Sequence, residues 1–108
     1  MKVNVNQVLK DLKGEPLLEG EVGKEEKITL KDVCIHVLIN VHQKDANLKA
    51  SEKLKRYKLA LLISKGGEVE LSIQDIAYIQ GLIGERLPVI YVGRTEEMFE
   101  GVKEKNGE

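Results

Sequence analysis

Residues 51–85, SEKLKRYKLALLISKGGEVELSIQDIAYIQGLIGE, constrain this chain more than any other segment. Two stretches with helical spacing flank Gly66-Gly67 and a short extended piece. The first spans roughly Ser51 to Ser64: Leu54, Tyr57 and Leu61 form one row. Leu59, Leu62 and Ile63 widen that row, so the C-terminal half is expected to be nearly surrounded by protein. Lys53 and Arg56 then fall on the outer face at the start of this helix. The glycine pair ends it, because glycine accepts left-handed backbone angles at little cost. Glu68 to Leu71 reads as a short strand. Ser72, with Asp75 three residues on, opens the next helix as a capping box, each side chain taking an unpaired backbone N–H of the other. Ile73, Ile76, Ala77, Ile79, Leu82 and Ile83 give this helix its buried face, leaving Gln74, Tyr78, Gly81 and Glu85 outside.

The same rules extend to the rest of the chain. Val3 and Val5 alternate with Asn4 and Asn6, a strand period. Gly14, Glu15 and Pro16 punctuate QVLKDLKGEPLL, favouring a small hairpin over a short helix across Gln7 to Leu12. Glu19 to Lys27 is expected to be a loop. Thr29 and Asp32 form a first capping-box pattern, and Asp32, His36 and Asn40 recur every four residues. That spacing makes the apolar run Val33 to Val41 a helix with one polar stripe rather than a buried strand. Asp45, Asn47 and Ser51 are available to cap the following helix. In RLPVIYVGRTEEMFEGV, residues Val89 to Val92 read as a strand, but Pro88 suits a helix start. A fourth helix from about Pro88 to Val102 is expected, with Gly93 costing it roughly 1 kcal/mol against alanine. The prediction is a single domain over residues 1–108, mainly α: a compact three- to four-helix domain with an N-terminal β-hairpin, α+β by strict count. Residues 1–28 are its hairpin and loop, 29–102 its helical core, and 103–108 a frayed tail.

Composition narrows the class. The chain is 42% apolar and 32% charged, which suits a folded soluble domain and not a disordered one. With Phe99, three tyrosines and no tryptophan, Leu, Ile and Val must fill the interior. The longest apolar runs fall short of a membrane span, and MKVNVNQ lacks the apolar core of a signal peptide. Cys34 is the sole cysteine and has no internal disulfide partner, which suits a reducing compartment. A cytoplasmic location is therefore expected, with no membrane partner.

Charge is unevenly spread. From His42 to Gly66, seven Lys/Arg (Lys44, Lys49, Lys53, Lys55, Arg56, Lys58 and Lys65) oppose Asp45 and Glu52, leaving +5, while the whole chain carries −1. Such a patch attracts phosphate or an acidic protein surface, and equally serves as a solvated helix face.

Catalytic chemistry is not legible. Asp32 and His36 share a helical face and His42 lies further on, but a zinc site needs three or four ligands, and Cys34 points about 200° away from His36. An enzyme would require a deep pocket in which His36, Asp32 and a third polar group converge. The segment SKGGEVELSIQD has the outline of a calcium loop, yet Val69 stands where glycine is required and Asp75 where glutamate is. Lys65-Gly66-Gly67 lacks phosphate-loop spacing. A helix-turn-helix would need a shorter connection than Gly66 to Leu71, and the would-be recognition helix has no Lys or Arg before Arg86. No catalytic residue, metal site or cofactor is expected.

The order QVLKDLKGEPL, TLKDV opening an apolar helix, EKLKRYKLAL, VELSIQDIAYIQGLIG and a Pro-led final segment resembles small bacteriophage and prophage proteins of unassigned function. The resemblance implies an intracellular accessory or assembly-related protein of the host cytoplasm that acts by binding. It supplies no functional residues. The residues themselves nominate Lys49, Lys53 and Arg56 on the second helix, with Gln74 and Tyr78 on the third, as contacts to a protein partner or a second copy. The alternative is a nucleic-acid-binding regulator using the basic start of the second helix.

Overall fold

A computed structural model describes residues 1–40, 42, 45 and 47–106. Val41, in the first apolar run, and Lys44, in the basic set, lie outside the described residues. Among those described there are four helices: α1 (Leu30–Ile39), α2 (Ala50–Ser64), α3 (Ile73–Arg86) and α4 (Val89–Asn106). They carry the fold, with a small β component at the N-terminus. None is long and apolar enough to cross a membrane.

Strand β1 (Lys2–Asn4) pairs antiparallel with β4 (Glu68–Glu70), in the register Val3 opposite Val69. Both valines point inward, while the flanking Lys2, Asn4, Glu68 and Glu70 stay exposed. The Val5 N–H continues the pairing onto the Gly67 carbonyl at 2.9 Å. Gly66 and Gly67 make this approach with φ of 75° and 67°, angles that side chains resist.

The N-terminal segment reverses twice. At Asp11–Glu15, the Asp11 carboxylate accepts the N–H groups of Lys13 and Glu15, and the Leu17 N–H then reaches the Leu9 carbonyl. The expected turn around Gly14 is present, and no helix forms over Gln7–Leu12. The second reversal departs from expectation. At the two ends of the segment read as a loop, Glu19 to Lys27, β2 (Leu18–Glu19) pairs with β3 (Glu26–Lys27) as a small antiparallel hairpin. All four residues are exposed, so no burial pattern announces these strands.

Both capping boxes form: Thr29 with Asp32 opens α1, and Ser72 with Asp75 opens α3. Helix α2 starts differently. Its N-cap is Lys49, and among the described residues no side chain caps it, so none of Asp45, Asn47 and Ser51 serves there as expected. Helix α4 starts after Pro88 and runs to Asn106, so residues 103–106 are helical where a frayed tail was expected. The Lys103 ammonium there donates to Gln80 on α3 and to Glu100.

The core gathers Val3, Val5 and Leu9 from the N-terminal segment, then Leu30, Val37, Ile63, Ile76, Ile79 and Phe99 from the helices, each at or below 1% exposure. Each such aliphatic side chain contributes roughly 1.5–3 kcal/mol by leaving water. Helix α1 packs against α2 and α3, and α3 against α4. On α3 the inward set is Ile76, Ile79, Leu82 and Ile83, whereas Ile73 and Ala77, expected inside, are exposed.

The largest departure concerns α2. The row Leu54, Tyr57 and Leu61, expected inside, is 51–59% exposed. The buried row is Arg56, Leu59, Ala60 and Ile63. Helix α2 is thus turned so that an arginine faces inward and an apolar row faces water.

Candidate interaction face on the second helix

A buried ionic junction fixes that rotation. Arg56, 7% exposed, donates from Nη1 to Asp45 Oδ2 at 3.2 Å and from Nη2 to Oδ1 at 3.3 Å. Arg86, at the end of α3, also reaches Asp45 Oδ2, and donates from Nη1 to the Val37 and Asn40 carbonyls at 3.3 and 3.4 Å. Arg86 Nε is buried without an acceptor among the described residues, a local cost that the other bonds of the guanidinium offset. One carboxylate therefore ties the connection after α1 to both α2 and α3.

The electrostatics follow. The hydrogen bond from Arg56, then that from the His42 backbone N–H, holds the Asp45 carboxyl down at about 2 against the opposing effect of burial. Burial alone would lower the Arg56 pKa, but its bonds to Asp45 and Tyr78 raise it on balance. The Arg56 Nε donates to the Tyr78 hydroxyl at 2.8 Å, and that hydroxyl donates to Glu52 at 3.1 Å. Lys55 Nζ sits 4.2 Å from the Tyr78 ring centroid, a cation–π contact.

With Arg56 and Glu52 drawn toward α3, the opposite side of α2 is apolar with a basic margin. Leu54, Tyr57 and Leu61 fall within about 60° of helical arc. Lys58 and Lys65 border one side of the row and Lys53 the other, all exposed. Ile39, at the end of α1, is 57% exposed and extends the apolar surface beside Tyr57. A hollow of about 430 Å³ lies between these two helices, lined by Leu38, Ile39, Leu48, Lys53, Arg56 and Tyr57. Exposed leucines are ordinary singly; here three apolar side chains stand in a row beside a hollow.

Among protein-family models, curated proteins and solved structures, none matches this chain.

The nominated residues divide. Lys53 is exposed on the rim of the hollow, and Lys49 is exposed at the α2 N-cap. Gln74 is exposed on α3, one turn before Tyr78. Arg56 is not on the outer face, because its guanidinium is committed to Asp45. Tyr78 lies half-buried over its own domain, packed against the core and bonded to Arg56 and Glu52. Arg56 and Tyr78 thus meet as parts of the junction behind the face. Leu54, Tyr57 and Leu61, expected inside, are contact candidates together with Ile39. The signal available was the seam of α2 itself: two apolar rows compete, and the outer one is bordered by lysines.

The polar stripe of α1 lines a separate groove of about 600 Å³, where Asp32, His36 and Asn40 meet Glu19 and Tyr91. Asp32, His36 and Asn40 are engaged within the chain. Asp32 Oδ2 accepts both the backbone N–H and the hydroxyl of Thr29 at 2.9 Å, and Asn40 Nδ2 lies 2.9 Å from His36 Nδ1. No hydrogen bond joins Asp32 to His36 among the described residues. Cys34 is fully buried, and burial pushes its thiol up to about 12, far from a nucleophile at neutral pH.

Proposed function

We propose that this protein is a non-enzymatic phage or prophage accessory protein that works in the host cytoplasm by binding another protein through the outer face of α2. The single observation that carries this reading is the exposed row Leu54, Tyr57 and Leu61, continued by Ile39 and bordered by lysines. Leaving such a row in water has no stabilising role in the isolated domain. The phage setting rests on the order and spacing of the segments quoted above. Nucleic-acid binding is the weaker reading, because Arg56 is withdrawn into the Asp45 junction and a phosphate backbone would leave the row in water.

The test is site-specific photo-crosslinking in cells that express the protein with its native neighbours. A photoreactive residue at position 57 is expected to give discrete protein adducts that the same group at exposed Glu97 on α4 does not give. Identical adduct patterns from both positions, or adducts to nucleic acid alone, would contradict the proposal.

A further inference from the structure

We infer that the partner presents an amphipathic helix whose apolar seam is flanked by acidic side chains. This rests on α2 being the docking face and adds the chemistry of its occupant. The outward positions of α2 are Ala50, Leu54, Tyr57, Leu61 and Ser64, all exposed. Their spacing alternates four and three residues, the repeat by which one helix lays a narrow seam along another. The hollow between Ile39 and Tyr57 offers that seam a place to seat one side chain. The margins fix the sign of the charge. Lys53, Lys58 and Lys65 border the seam, while Glu52, the sole acid of α2, is turned to the Tyr78 hydroxyl. Carboxylates at the flanking positions of a partner helix would meet these ammonium groups, as charges beside a coiled-coil seam select partners.

A second copy docked through the same face fits worse. Helix α2 against helix α2, in either direction, brings lysine margin to lysine margin, and like charges so placed repel. A nucleic-acid strand would satisfy the lysines and leave the leucines wet. An anionic membrane surface satisfies both chemistries in outline, so the experiment includes it.

Three synthetic helical peptides share one leucine seam and carry Glu, Gln or Lys at the flanking positions. Each is titrated against the purified protein by fluorescence anisotropy, beside vesicles of zwitterionic lipid with and without phosphatidylserine. The glutamate-flanked peptide is expected to bind at least about tenfold more tightly than the lysine-flanked one, with the difference shrinking as salt rises. The double substitution Lys58→Glu with Lys65→Glu, at exposed positions that leave the core untouched, is expected to reverse the order of the peptides. Equal affinities, an unreversed order, or binding to phosphatidylserine vesicles without peptide binding would overturn the inference. So would a dimer in sedimentation velocity that Leu61→Asp dissolves, since that assigns the face to a second copy. Crosslinks at position 57 together with indifferent peptides would leave α2 as the docking face and remove only the acidic helix. Absence of both would remove the docking face itself.

Discussion

The Arg56 guanidinium forks onto the Asp45 carboxylate inside the protein, at 3.2 and 3.3 Å, instead of standing in the basic outer face of α2. That pairing sets which side of α2 meets water. It withdraws one cation from the surface, holds Asp45 against α2, and leaves Leu54, Tyr57 and Leu61 between lysines.

The pairing carries a pH signature. Because the Asp45 carboxyl is held down at about 2 from an ordinary 3.8, its contribution to stability is fully present only well above pH 3.8. It is lost as pH falls from 3.8 toward 2, where the folded form must also take up the proton. Urea unfolding at a series of pH values is expected to show a decline over that window that is shallower in Asp45→Asn. An equal decline in both proteins would contradict the pairing.

Phe99 is the chain's one phenylalanine and is fully buried on α4. Phe99→Ala is expected to cost about 3–5 kcal/mol, the transfer of the ring plus the cavity left behind. Phe99→Leu is expected to cost markedly less. Denaturant midpoints at constant slope measure both.

Two glycines predict opposite signs. Gly93 lies exposed within α4 with nothing near an added Cβ, so Gly93→Ala is expected to stabilise by about 1 kcal/mol. Gly67 also has open space, but its φ of 67° is left-handed, so Gly67→Ala is expected to destabilise by about 1 kcal/mol. Thermal melts of the two variants should move apart.

Cys34 sits on the buried face of α1 with its thiol pushed up to about 12. Labelling by a thiol reagent at neutral pH is expected only as fast as the protein opens, with full labelling in denaturant. Immediate labelling of the folded protein would contradict its burial.

What the sequence reveals is local in origin. Thr29 with Asp32, Ser72 with Asp75 and the glycine pair act within a few residues of themselves, so α1, α3 and the end of α2 are legible. The same holds for β1, whose alternation of Val3 and Val5 needs no partner to be seen. The hairpin of Leu18–Glu19 with Glu26–Lys27 escapes because nothing in it is buried. The rotation of α2 escapes for a longer-range reason. Both of its apolar rows qualify as core by spacing. The choice falls to a bond from Arg56 to Asp45, eleven residues earlier, and a second from Arg86, forty-one residues away from Asp45. With Leu54, Tyr57 and Leu61 counted as interior alongside Leu59 and Ile63, an exposed apolar row reads as core and Arg56 as surface.

Methyl NMR of the folded protein, titrated with the glutamate-flanked peptide, tests the docking face most directly. The predicted result is perturbation centred on the methyl groups of Ile39, Leu54 and Leu61, weakened by Lys58→Glu with Lys65→Glu. Perturbation centred instead on the groove beside Leu12 and Val89, or on the one beside Ile35 and Val33, would contradict the assignment of α2 as the docking face.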